Sequence, residues 1–176
     1  MNFEKIDRRS FLIAAGTLTR VLTAGTNPIV ETTTGKVRGS VQNKVNIFKG
    51  IPYGASTEGA GRFMPPSKPQ PWTGVRDALE LGLRAPQIRA QPLVAEYAVM
   101  GREGPMGEDC LVLNVWSQGL KDGHKRPVMV YLHGGGYANG SAGVMVYDGA
   151  NLAAKHDVVV VSTKPSPQSL RVPASR

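Results

Sequence analysis

The chain contains two strongly apolar runs separated by a glycine loop and a short helical stretch. Residues 127–132, PVMVYL, have the length and branching of a β-strand covered on both faces, and they lead directly into residues 133–136, HGGG. Residues 148–156 have a helical composition, and a second buried run follows at residues 158–161, VVVV. A succession of strand, glycine loop, helix and strand predicts an α/β fold.

The segment before these strands predicts antiparallel hairpins and an ordered loop. Strand-like runs lie at residues 29–32, 36–41, 45–48 and 111–116, with turn residues between the first three. Residues 50–92 are dense in proline and glycine, which excludes a long helix or a central strand. Large apolar residues in and beside this segment predict that it packs on the core, namely Phe48, Ile51, Tyr53, Phe63, Trp72 and Val75. The expected architecture is therefore antiparallel hairpins leading into a mostly parallel sheet.

The glycine run at residues 134–136 is the strongest candidate for a functional site. Consecutive glycines expose backbone N–H groups and let a ligand approach closely, because no Cβ blocks the way. Residues 134–140 lack the Gly-Lys-Ser/Thr of a Walker loop, and their spacing is not Gly-x-Gly-x-x-Gly. A developing oxyanion fits better, since lipases and esterases use His-Gly-Gly-Gly in this role. A tight turn without function stays the alternative for the glycine run taken alone.

The net charge of +8 does not indicate a nucleic-acid partner, because much of it lies at the two ends of the chain. Residues 1–26 contribute +2 and residues 164–176 contribute +3. The remainder carries 14 basic and 11 acidic residues, without a block of five or six like charges. Cys110 is the one cysteine of the chain, which excludes an intrachain disulfide scaffold.

Residues 1–26 resemble a twin-arginine export signal. Residues 7–12 read DRRSFL and are followed by a mildly apolar run at residues 13–22. That run is too short and too interrupted to span a bilayer, which takes about 20 residues. We therefore expect a periplasmic or secreted bacterial protein without a stable membrane anchor. An ordinary N-terminal helix with a basic start, and hence a cytoplasmic protein, is the alternative.

A series of motifs occurs in the order in which type B carboxylesterases carry them. They are TGKVRG at 34–39, FKGIPY at 48–53, RFMPP at 62–66, PWTGVRDA at 71–78, APQ at 85–87, EDCLVLNVW at 108–116, PVMVYLHGGG at 127–136 and YDG at 147–149. Over about residues 29–162, the chain therefore resembles the type B carboxylesterase family. The resemblance implies an α/β-hydrolase fold, of which this chain holds an N-terminal and incomplete part.

The resemblance also implies a reaction. Members of this family cleave carboxylic esters with a serine nucleophile, a histidine base and an acidic partner, and they need no metal or organic cofactor. Gly135 and Gly136 match the family's oxyanion-hole donors, supported by His133 and Gly134. The expected partner is a small carboxylic ester.

Two further roles follow from the resemblance, and both are structural. Glu108 is expected to pair with an arginine, either Arg38 or Arg62. Cys110 matches one half of a disulfide that many members contain, but Ala85 stands where the partner cysteine belongs. We therefore expect Cys110 to behave as a small buried apolar residue.

None of the catalytic triad is recognisable in the sequence. A serine hydrolase of this kind carries its nucleophile in Gly-x-Ser-x-Gly, and the nearest approach is residues 139–143, NGSAG. Because that stretch belongs to the glycine loop, Ser141 is expected to be a loop residue. His124, His133 and His156 do not match the family's catalytic base.

We therefore expect three segments: an export signal at 1–26, the N-terminal portion of a carboxylesterase domain at 27–163, and an aberrant, disordered tail at 164–176. The Pro-, Ser- and Arg-rich tail is typical of translation in a shifted frame, with a genuine tail as the alternative. A chain truncated before the nucleophile is expected to be poorly soluble and inactive on esters. Two alternatives stay open: a non-catalytic cholinesterase-like binding module, and one half of an esterase assembled from fragments. The oligomeric state is not predicted.

Overall fold

The computed structural model describes residues 27–87, 104–135 and 139–164. The strands and the α-helix are β1 (Ile29–Glu31), β2 (Lys36–Arg38), β3 (Ser40–Gln42), β4 (Val45–Pro52), β5 (Val75–Asp77), β6 (Val112–Ser117), β7 (Val128–Leu132), α1 (Ala150–His156) and β8 (Val159–Thr163). Single 3-10 turns lie at Gly59–Gly61 and Met145–Tyr147.

Three of the sequence predictions fall outside the described residues. They concern the export signal at 1–26, residues 165–176 of the expected tail, and Gly136. Within the part of the chain that the structure describes, no helix is long and apolar enough to cross a membrane.

The described strands form two mixed sheets. The larger sheet has the order β3-β4-β6-β8-β7, in which β7 and β8 are parallel and the other neighbours are antiparallel. The smaller sheet has the order β1-β2-β5, with β1 antiparallel and β5 parallel to β2. The predicted antiparallel hairpins before the parallel strands are confirmed, because β1 pairs antiparallel with β2 and β3 with β4. Helix α1 connects β7 with its parallel neighbour β8, as the sequence of strand, loop, helix and strand requires.

The β3–β4 hairpin shows how local chemistry sets the strand register. Gln42 pairs with Val45, so two residues form the turn between them. These residues, Asn43 and Lys44, have φ values of 49° and 65°. Two positive φ values are the mark of a type I′ turn, whose twist matches that of the flanking strands, and asparagine tolerates this conformation well.

Helix α1 packs on one face of the larger sheet. The core that they share consists of Val45, Ile47, Trp116, Ala153 and Val160. The helix begins where Ala150 N–H donates to Asp148 Oδ1 at 2.8 Å, and it ends at Asp157, which has a φ of 49°. The helix thus covers the central strands β4, β6 and β8, while β7 lies beyond them at the edge.

Residues 50–87 of the proline- and glycine-rich segment are described, and they contribute less to the core than the sequence suggested. A second core cluster contains Val37, Phe48 and Ala78, with Ile51 and Trp72 packed against it. By contrast, Tyr53, Phe63 and Val75 are 41%, 48% and 38% exposed, so the expectation of core packing is wrong for these three. Val75 lies on an edge strand, and Tyr53 uses its hydroxyl to donate to the Lys164 carbonyl at 2.9 Å.

Strand β4 also continues further than the sequence indicated. It runs through Gly50 to Pro52, where only loop was expected. Gly50 has a φ of 71°, and the register with β6 shifts between Phe48 and Ile51, so a bulge accommodates the glycine. The fully buried Asn114 of β6 accepts the Gly50 N–H at 3.0 Å, which satisfies the donor at the irregularity.

Strand β7 forms one edge of the larger sheet in the described part of the chain. Val159 N–H donates to Pro127 O at 2.9 Å. Since backbone groups alternate along a strand, Val128, Val130 and Leu132 turn their N–H and C=O groups away from β8. Their side chains are 62%, 58% and 65% exposed. The apolar sequence of β7 predicts that both of its faces are buried. The described residues nevertheless leave more than half of each of these three side chains exposed.

An open apolar strand edge promotes pairing between molecules, so we expect the 176-residue chain to self-associate through β7. Val130→Lys should reduce this association, because a charge on an edge strand opposes further pairing. Size-exclusion chromatography with light scattering measures the effect. Val146→Lys is the matched control, since Val146 is 54% exposed but lies in a 3-10 turn. An equal reduction by both variants would contradict a specific role of the β7 edge.

Candidate functional site

The glycine loop lies at the carboxyl end of the parallel pair β7–β8. Leu132 at the end of β7 is the register partner of Thr163 at the end of β8. The loop begins with the next residue, His133, and residues 133–135 are described. The carboxyl end of parallel strands is where α/β sheets bind their ligands. The glycine loop therefore lies at the end of the sheet where a ligand is expected, and its role as a site stays a prediction.

Gly135 adopts a backbone conformation that side chains rarely allow, with a φ of 119°. Asn139 N–H donates to Gly135 O at 3.2 Å, which brings the far side of the loop close. A Cβ atom on Gly135 would collide with the carbonyl oxygen of Asn139. The requirement for glycine at this position thus has two causes, the dihedral angle and the close backbone approach.

Gln87 holds the other end of this loop. Its Oε1 accepts the Gly140 N–H at 2.7 Å, and its Nε2 donates to Gly140 O at 3.0 Å. Gly140 itself has a φ of 106°, and a Cβ there would lie 2.5 Å from Gly134 O. In the sequence, Gln87 stands in a family motif at residues 85–87, and nothing there indicates a role for it. Its place in the APQ motif was the one signal that pointed to it.

Ser141 and His133 contact the backbone of their own loop. Ser141 is buried, and its Oγ accepts the Gly143 N–H at 3.1 Å, which confirms the prediction of a loop residue. The His133 Nδ1 lies 2.8 Å from Gly134 O. His156 is in the last turn of α1, as its sequence position indicated.

The arginine partner of Glu108 is Arg62. Their side chains meet at 2.6 Å, and this interaction raises the pKa of Arg62 above its usual value. The other candidate, Arg38, pairs instead with Asp77 at 3.4 Å. The Glu108 backbone is also engaged, because its carbonyl oxygen accepts the Thr57 hydroxyl at 2.7 Å. Glu108 therefore holds the loop after β4 through Arg62 and Thr57, and the predicted pairing with an arginine is confirmed.

Cys110 is a buried apolar residue, as predicted. It is fully buried and free, and it packs against Ala85, the residue at the disulfide-partner position. Burial raises the pKa of the Cys110 thiol to about 11, so the nucleophilic thiolate is not populated near neutral pH.

In the ranges that the structure describes, no group of three or more His, Cys, Asp or Glu residues is arranged to hold a metal ion.

Lys164 follows β8 and is 3% exposed, which the sequence did not indicate. Its backbone N–H donates to Val112 O at 3.0 Å, continuing the pairing with β6. Its ammonium group donates to Gly82 O and, at 3.4 Å, to Leu83 O. Burial lowers the pKa of Lys164 to about 8. The domain boundary between Thr163 and Lys164 stays a prediction.

Comparison with known proteins identifies the family. A model described as "Carboxylesterase family" matches residues 26–164, which is most of the chain. The chain belongs to the carboxylesterase family. The glycine loop, the Arg62–Glu108 pair and buried Cys110 thus all lie within the segment that carries the family match.

Relatives and solved structures agree with this assignment. The chain is 39% identical over 137 residues to para-nitrobenzyl esterase of Bacillus subtilis, with 78% of this chain and 27% of that protein covered. It is 40% identical over 146 residues to human carboxylesterase 3, covering 78% of this chain and 25% of the relative. A thermophilic PNB esterase structure superposes with a TM-score of 0.72 at 35% identity, covering 82% of this chain and 29% of the other. The α/β-hydrolase fold is thereby shown, and the chain spans about a quarter of the length of these relatives.

The shifted pKa values of Lys164 and Cys110 predict an unusual pH dependence of stability. The pKa of Lys164 falls from 10.5 in the unfolded chain to about 8 in the folded one, so the unfolded chain binds more protons between these pH values. Stability should therefore rise with pH from 8, by at most about 1.4 kcal/mol per unit. The Cys110 pKa is raised from 9.0 to about 11, so its contribution falls with pH between 9 and 11 and opposes the rise.

Single variants separate the two contributions in thermal unfolding measured from pH 7 to 10.5. Cys110→Ala should leave the rise intact above pH 9, where the thiol no longer opposes it. Lys164→Met should abolish the rise between pH 8 and 9, because the buried ammonium is gone. Parallel pH profiles for the wild-type chain and both variants would refute this account.

Proposed function

We propose that this chain provides the oxyanion-hole portion of a serine carboxylic ester hydrolase. The observation that carries the proposal is the loop after β7, in which Gly135 is held at a φ of 119° by the backbone of Asn139. In the proposed reaction the N–H groups of Gly135 and Gly136 donate to the oxyanion of the tetrahedral intermediate. His133 and Gly134 support these donors by fixing the entry to the loop.

The remaining chemistry requires groups that are not recognisable in these 176 residues. The sequence contains no Gly-x-Ser-x-Gly, and the buried Ser141 accepts the Gly143 N–H at its Oγ within the loop. We therefore propose that the 176 residues alone hydrolyse no esters. Acyl transfer by the nucleophile, base and acid of this family involves no metal or organic cofactor in the proposed mechanism.

The proposed substrates are small carboxylic esters. This follows from the relatives, which include para-nitrobenzyl esterase of Bacillus subtilis and phenmedipham hydrolase of Pseudarthrobacter oxydans. The matched relatives are named as esterases and hydrolases, which does not favour a non-catalytic binding module. An enzyme assembled from fragments likewise receives no support from them.

A chimaera tests the oxyanion role directly. Residues 27–164 replace the matching segment of para-nitrobenzyl esterase of Bacillus subtilis, which then supplies the triad. We expect hydrolysis of para-nitrophenyl acetate, and we expect Gly135→Ala to lower kcat about 10²- to 10³-fold, because one oxyanion donor is displaced. Steady-state kinetics measure the effect.

Gly123→Ala is the matched control for that variant. Gly123 also has a positive φ, 78°, but nothing lies within 4 Å of the added Cβ, and the residue is in the turn before β7. It should leave kcat near that of the unmodified chimaera. A folded chimaera without activity, or equal losses from both alanine variants, would contradict the proposed role of the loop.

We also propose export by the twin-arginine pathway, based on the DRRSFL sequence at residues 7–12. Replacing Arg8 and Arg9 together by lysine should block export, since the pathway recognises the arginine pair. Cell fractionation and immunoblotting in a bacterium with this pathway measure the location. Arg20→Lys, in the apolar run, is the control and should leave export unchanged. Export of the double variant at the wild-type level would rule the signal out.

A further inference from the structure

One side chain from a distant part of the sequence holds the glycine loop. Gln87 pairs with both backbone groups of Gly140, accepting the N–H at 2.7 Å and donating to the carbonyl at 3.0 Å. A primary amide presents a donor and an acceptor side by side, so it can replace the neighbouring strand that a peptide group would otherwise pair with. The 53 residues that separate the partners make this a tertiary contact.

The contact reaches Gly135 through the loop itself. Gly140 packs against the start of the loop so closely that a Cβ would lie 2.5 Å from Gly134 O and 2.7 Å from His133 Nδ1. The preceding residue, Asn139, donates its N–H to Gly135 O at 3.2 Å. Fixing Gly140 therefore also fixes the peptide that follows Gly135.

Gln87 is itself held by the core. Its Nε2 also donates to Ala85 O at 3.0 Å, and Ala85 is buried against Cys110. The neighbouring Arg84 is tied by its backbone, with its N–H donating to Pro105 O at 3.0 Å and its carbonyl accepting from Gly107 N–H at 2.9 Å. The amide thus connects the loop to a segment anchored just before β6.

We propose that Gln87 is a positioning residue for the oxyanion hole: its amide fixes Gly140 and thereby orients the peptide groups around Gly135. The inference rests on the proposed function for its catalytic meaning, because a fixed loop matters when charge develops at its N–H groups. Gln87 touches the loop backbone only and is not a catalytic residue.

Hydrogen–deuterium exchange on the full 176-residue chain tests this role without ester chemistry. Gln87→Ala should accelerate exchange about tenfold in peptides that cover residues 134–143, because two neutral hydrogen bonds are lost. The thermal midpoint and exchange in β4 and β6 should stay close to wild type. Gln118→Ala is the matched control, since the Gln118 amide donates to Ala154 O on helix α1, and it should not affect the loop.

Gln87→Glu tests the paired hydrogen bonds themselves. If they hold the loop, its exchange rate relative to wild type should depend on pH. Above the pKa of the new carboxyl group, a carboxylate would face Gly140 O, so exchange in the loop should be fast relative to wild type at the same pH. When protonated near pH 4, the carboxyl group can again donate to Gly140 O and accept from its N–H, so the ratio to wild type should return towards one.

Two outcomes would overturn the inference. Unchanged loop exchange in Gln87→Ala would show that the amide does not hold the loop, and a Gln87→Glu ratio independent of pH would show that the paired hydrogen bonds do not matter. A failure of the proposed function would give a different result. The chimaera would then be inactive, while exchange in the loop would still depend on Gln87.

Discussion

The parallel pairing of β7 with β8 is the interaction on which the rest of the structure depends. It joins the two most apolar runs of the chain through helix α1, and it aligns Leu132 with Thr163 at one end of the sheet. Two features then share that end, the glycine loop after β7 and buried Lys164 after β8. A slip of one residue would exchange the faces of β7 and move the loop away from its support.

The loop depends in turn on backbone contacts that only small residues permit. Gly135 and Gly140 both have φ values in the range that L side chains rarely adopt, and each lies against another backbone segment of the loop. Glycine has no side chain to pack, so hydrogen bonds from outside the loop help to fix its shape at Gly140. Gln87 provides two of them, which links the glycine loop after β7 to a segment packed beside Cys110.

The sequence predicted those features that arise from local patterns. Apolar runs predicted strands β6, β7 and β8, and the turn at Asn43 predicted the β3–β4 hairpin. These signals come from residues that are neighbours in the sequence. The bulge at Gly50 was missed because its donor is satisfied by Asn114 from another strand. Burial of Lys164 and the hold of Gln87 on Gly140 were missed for the same reason, since polar side chains give no periodic signal for a tertiary partner.

The open edge of β7 and the glycine loop also constrain each other. One side of β7 is occupied by β8, and among the described residues no strand pairs with the opposite edge, towards which Val128, Val130 and Leu132 direct their backbone groups. The side chains of these three residues project from one face beside that edge, and each is more than half exposed. Protein segments that paired with this edge and covered this face would bury the strand and exclude water beside the loop. In a drier site the N–H groups of the loop would interact more strongly with a developing negative charge, because the local dielectric falls.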